Sequence, residues 1–106
     1  MLAQTPYYAV IFTSLLQDES KGYAEMAEQM EALAKTQDGY LGFESSRNER
    51  GISISYWVSL ESIRRWKEQT DHLFAQQLGR SSWYRYYNVR ICKVEREYEF
   101  EFGEKE

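Results

Sequence analysis

Residues 52-ISISYWVSLESIRRWK-67 change their period halfway along, and that change decides the fold. Up to Ser59 the chain alternates. Ile52, Ile54, Tyr56 and Val58 take one face, and Ser53, Ser55, Trp57 and Ser59 take the other. Alternation of this kind marks a strand. From Leu60 the apolar positions Leu60, Ile63 and Trp66, continued by Leu73 and Phe74, follow the spacing of a helix face. Ser59 stands at the junction as a good helix cap.

Upstream, 40-YLGFESSR-47 reads as a strand and 48-NERG-51 as a turn, so the two strands form a hairpin. Before them, Tyr23, Met26, Ala27, Met30, Leu33 and Ala34 make an amphipathic helix stripe. Asp18 or Ser20 is its expected cap and Gly39 its expected stop, with Glu31 and Lys35 at a favourable i, i+4 spacing. The β-branched and aromatic run 7-YYAVIFTS-14 is the first strand. A last strand starts near Tyr86 and continues through 94-VEREYEFEF-102. There Val94, Tyr98, Phe100 and Phe102 face one way with Arg96, and Glu95, Glu97, Glu99 and Glu101 face the other.

The order is β-α-β-β-α-β, which predicts a ferredoxin-like α+β fold with both helices on one face of an antiparallel sheet. A length of 106 residues predicts one domain across 1–106, with its core at about 7–100 and a loose tail at 103–106.

Composition narrows the function classes. Net charge is −4 with no basic run, which argues against nucleic acid as a partner. The opening MLAQTPYYAVIF has no basic stretch followed by a long apolar run, and no apolar segment is long enough to span a bilayer. With a single cysteine, Cys92, no internal disulfide is available, so a cytoplasmic location is expected. One His and one Cys on different elements match no metal-ligand spacing, so no metal site is expected.

Aromatic residues reach 16%, more apolar surface than one small core needs. The adjacent pairs Tyr7–Tyr8, Tyr56–Trp57 and Tyr86–Tyr87 send one ring to each side of the sheet. The face without helices is therefore an association surface. A homodimer is expected, sheet against sheet, with Val94, Tyr98 and Phe100 reaching onto the partner.

These features resemble the antibiotic biosynthesis monooxygenase (ABM) domain family, whose members are dimeric α+β barrels. The resemblance covers Tyr8 to about Phe100. It is carried by GYLGFES (39–45), by ISYWVSLESIRRWK (54–67) and by the long final strand. It implies a cofactor-independent monooxygenase-like protein acting on a small aromatic or quinol compound in an apolar pocket. Trp57, Trp66, Phe74, Trp83 and Tyr84 would wall that pocket. The alternative is a non-catalytic dimer that binds a small ligand or serves in a stress response.

The resemblance also reaches haem-degrading relatives, but the match fails at their ligands. Counting on from Trp66 to their axial-histidine position arrives at Gln76, and the first strand lacks their asparagine. No haem and no other cofactor is expected. His72 falls one helical turn early. It remains a candidate general base, since an unperturbed histidine titrates near 6.5. Its role depends on helix phase. In one straight helix His72 points away from the Ile63–Trp66–Thr70 stripe; a break capped by Thr70 would turn it inward. Tyr56, Ser55, Asn88 and Arg90 are further polar candidates for the pocket.

Overall fold

The computed structural model describes residues 3–17, 22–76 and 83–103, with side chains of the second helix described as far as Leu73. The elements are β1 (Tyr7–Leu16), α1 (Tyr23–Lys35), β2 (Tyr40–Arg47), β3 (Gly51–Trp57), α2 (Leu60–Gln76) and β4 (Tyr84–Val94). The strands form one four-stranded antiparallel sheet in the order β2-β3-β1-β4. This is the ferredoxin-like α+β arrangement.

Register assigns the faces. Tyr8 pairs with Trp57, Val10 with Ser55, Phe12 with Ser53 and Ser14 with Gly51. Val10 and Trp57 pack with Ala34 of α1 and Ile63 of α2, so this set faces the helices. The other set faces away: Ala9 with Tyr56, Ile11 with Ile54, and Thr13 with Ile52. The isoleucines of β3 therefore lie on the face without helices, and its serines lie beneath them. Each adjacent aromatic pair is split between the faces. Tyr86 sits opposite Leu15 on the outer face, and Tyr87 sits opposite Ser14 on the helix face.

Local chemistry sets the helix ends. Ser59 caps α2 by accepting the Ser62 backbone N–H at 3.1 Å. The cap of α1 is Gly22, with φ 84 and no side-chain cap bond; Asp18 and Ser20 lie outside the described residues. Gly39 follows α1 with φ 92. A Cβ there would lie 2.6 Å from Ser62 Cβ, so glycine is required by both backbone and packing.

Two expectations need correction. Leu60 is 55% exposed and does not join the buried stripe. The stripe is Ser62, Ile63, Thr70 and, half-buried, Trp66 and Leu73. At ~100° per residue, Leu60 lies roughly 100° from the middle of it. The final strand also stops at Val94, not at 102. Val94 pairs with Tyr7, the first residue of β1, so residues beyond it overrun the strand they would pair with. Residues 95–101 carry no regular secondary structure, and Tyr98, Phe100 and Phe102 are 82%, 87% and 90% exposed.

Candidate functional site

A cavity of about 420 Å³ lies between α1 and the helix-facing side of the β2–β3 hairpin. Its α1 wall is Tyr23, Ala24, Ala27, Glu28 and Glu31, one stripe of that helix. Its floor includes Phe43, Ser45 and Arg47 of β2 and Gly51 and Ser53 of β3. Alternation explains the mixture. At this end of the two strands the residues turned towards the helices include Ser45, Arg47, Gly51 and Ser53, small or polar, so the helix meets a floor it cannot fill with apolar side chains. Small residues on α1 widen the gap.

Arg47 is the central charged group of the floor. Its Nη2 donates to Ser14 Oγ and, at 3.5 Å, to Tyr23 Oη. Its guanidinium carbon lies 5.3 Å from the centre of the Tyr23 ring, within cation–π range. Ser14 is 1% exposed, a buried hydroxyl that accepts from the guanidinium. Tyr23 also meets Tyr84 edge-on at 5.7 Å and Trp83 at 6.3 Å. Tyr84 in turn packs against Phe12 at 5.4 Å and Tyr87 at 5.6 Å. Burial, and then the Tyr23 hydroxyl beside it, hold the Tyr84 phenol well above the ordinary tyrosine range.

Of the five rings expected to wall one pocket, the four described ones, Trp57, Trp66, Trp83 and Tyr84, separate into two groups. Trp57 is fully buried in the core, 5.0 Å from Trp66 and 5.8 Å from Tyr40. Trp83 and Tyr84 belong to the Tyr23 cluster. Trp57 is opposite Tyr8 and Tyr84 is opposite Leu16, at the two ends of β1. At ~3.3 Å per residue that is roughly 25 Å, too far for one wall. The Phe74 side chain lies outside the described set, as does that of Gln76 at the haem-ligand spacing. The Trp66 indole Nε1 is buried without a hydrogen-bond acceptor.

The other polar candidates are dispersed too. Ser55 is buried and accepts from Trp57 Nε1 at 2.8 Å. Tyr56, Asn88 and Arg90 stand opposite Ala9, Thr13 and Ile11, on the face away from the helices. α2 runs unbroken through Thr70, which is buried, and His72 is exposed. The straight-helix alternative is the one observed. No group of three or more His, Cys, Asp and Glu side chains able to hold a metal ion occurs among the described residues. No described helix is long and apolar enough to cross a membrane.

On the outer face, two tyrosines donate to carboxylates. Tyr7 Oη donates to Glu97 Oε1 at 2.6 Å, which ties the C-terminal arm to the sheet. Tyr56 Oη donates to Glu44 Oε2 at 2.6 Å, and the two rings meet edge-on at 6.0 Å. The bond to Glu97, aided by burial, pushes the Tyr7 phenol up to about 12. Burial and the bond to Glu44 push Tyr56 up to about 12.

Arg47, Tyr23, Phe43 and Ser53 were not singled out as site residues by the sequence. The available signal was alternation: Phe43, Ser45 and Arg47 share a face on β2, and Ser53 joins them across the hairpin. What was not legible is which face the helices cover.

Comparison with known proteins agrees with this architecture. The chain is 48% identical over 96 residues to YqjZ of Bacillus subtilis, an uncharacterised protein, covering 89% of this chain and 84% of that one. SnoaB of Streptomyces nogalater, a cofactor-independent oxygenase, superposes with a TM-score of 0.66 at 10% identity, over 90% of this chain and 97% of its own. A Bordetella bronchiseptica protein provisionally named an antibiotic biosynthesis monooxygenase superposes with a TM-score of 0.64 at 14% identity, over 83% and 96%. No protein-family model matches the chain.

Proposed function

We propose a function from this premise: the chain belongs to the same family as YqjZ of Bacillus subtilis and has the fold of the ABM-type proteins. In our reading it is a homodimeric, cofactor-independent oxygenase acting on a small aromatic or quinol compound held in the α1–hairpin cleft. The observation that carries this is the cavity of about 420 Å³ between helix and sheet, large enough for a ring compound, with the Tyr23 and Phe43 rings and small residues beside the polar side chains of Glu28, Glu31, Arg47 and three serines.

The chemistry asks little of the protein. A phenol or an acidic CH₂ beside a ring ketone loses a proton, and the resulting anion donates electrons to O₂. For an activated CH₂ the balance is CH₂ + O₂ → C=O + H₂O. One oxygen atom enters the product and the other leaves as water, so no external reductant is consumed. Glu28 and Glu31 are the carboxylates on the cleft wall that would accept the proton. Tyr23 and Phe43 would stack against the ring.

The dimer is part of the proposal. Ile11, Ile52 and Ile54 share the outer face, and Tyr98, Phe100 and Phe102 stand in solvent on the arm. A second copy would cover both.

A non-catalytic ligand-binding dimer is the second reading. It is favoured by the exposed position of His72, which leaves no described histidine in the cleft. Oxygen uptake separates the two. The protein is incubated with hydroquinones and anthrones under ¹⁸O₂. The oxygenase reading expects protein-dependent uptake and one labelled oxygen in the product; binding without uptake would leave the second reading standing.

A further inference from the structure

We infer that the cleft selects an anionic ring compound, a carboxylate or phenolate, and that Arg47 sets that preference. The inference rests on the reading of the cleft as the ligand site. It adds which compounds enter and which residue chooses them.

Arg47 is the last residue of β2, and it lines the cavity. Its hydrogen-bond partners are neutral: the Ser14 and Tyr23 hydroxyls, both reached through Nη2. Among the described residues no carboxylate forms an ion pair with it, and Nη1 has no acceptor. A guanidinium inside a cleft, anchored by two hydroxyls and left with donors to spare, is prepared for a planar anion.

Gly51 supports the same conclusion independently. It is buried opposite Arg47 in the hairpin register, and a Cβ there would overlap the guanidinium. The absence of a side chain at 51 is therefore what lets Arg47 lie across the strand. The Tyr23 ring also packs against the guanidinium. Phe43, Ala24 and Ala27 supply apolar walls next to this charge, so the site suits a ring with one acidic group.

Glu28 and Glu31 oppose an anion but do not cancel the preference. Both come from α1, across the cleft from the strand that carries Arg47. Glu31 is ion-paired with Lys35 at 3.6 Å, and Glu28 is exposed. Lys35 offsets the charge of Glu31 and solvent screens that of Glu28, whereas the guanidinium is held in the cleft floor by Ser14 and Tyr23 with donors turned to a ligand anion.

Two probes with one ring system test this: 8-anilinonaphthalene-1-sulfonate and its neutral analogue N-phenyl-1-naphthylamine. Their dissociation constants are measured by fluorescence on the full chain, with Ala27→Trp as the control that fills the cleft. The wild type is expected to bind the sulfonate at least tenfold more tightly than the neutral analogue. Arg47→Met should remove that preference and leave the neutral probe unchanged. Gly51→Ala should do the same by displacing Arg47 while keeping its charge, and it decides the matter if Arg47→Met does not fold. Ala27→Trp should weaken both probes. An unchanged probe ratio in Arg47→Met or Gly51→Ala, or no preference in the wild type, overturns the inference and leaves the cleft as a ligand site. Binding of both probes that Ala27→Trp does not alter overturns the ligand-site reading itself.

Discussion

Tyr7 donates a hydrogen bond from the sheet to Glu97 of the C-terminal arm, and its consequence is a dependence on alkaline pH. Its phenol is held protonated to about 12 by Glu97 and burial, whereas an unfolded tyrosine ionises near 10. A raised folded pKa means stabilisation that is complete below about pH 10 and lost as the pH climbs towards 12. Tyr56 acts in the same window. Tyr7→Phe should cost about 1 kcal/mol at neutral pH. It should also flatten the decline in urea midpoint between pH 9 and 11.5; an equally steep decline would rule out Tyr7 as a source. Gly39 offers a second test at this scale. Its φ of 92 and the approach of Ser62 predict that Gly39→Ala loses roughly 1–3 kcal/mol by chemical denaturation.

At the level of elements, the change of period within residues 52–67 was enough to place β3 and α2, because both periods are strong and Ser59 caps the junction. Ser59→Ala should therefore lower stability by about 1 kcal/mol, read from urea melts. The site was less legible, for a reason visible in β3 itself. Ile52, Ile54 and Tyr56 look like the core face, yet Ser53, Ser55 and Trp57 face the helices. Alternation says that two faces exist, not which one a helix covers. A cleft floored by Ser45, Ser53 and Arg47 follows from that choice and cannot be read before it. Helix phase stayed open in the sequence, because 66–72 holds no proline or glycine to mark a break and Thr70 could cap one; in the structure α2 is unbroken, Thr70 is buried and His72 is exposed. His72→Ala should leave oxygen uptake unchanged; a loss of tenfold or more would return a base role to it.

For the whole molecule, the apolar outer face and the exposed aromatic arm bear on one question, the number of chains. Truncation after Val94 removes Tyr98, Phe100 and Phe102 together with the Glu97 contact. It should turn a dimer into a monomer in sedimentation at micromolar concentration while keeping the far-ultraviolet spectrum. A wild-type monomer under those conditions would remove the dimer from the proposal.

The most direct measurement concerns the cleft. Oxygen consumption with an anthrone or hydroquinone is followed in the wild type and in Ala27→Trp, whose indole would occupy the space between α1 and the hairpin floor. Protein-dependent uptake that falls at least tenfold in a folded Ala27→Trp variant is the expected result. Uptake at the wild-type rate with the cleft filled would contradict it.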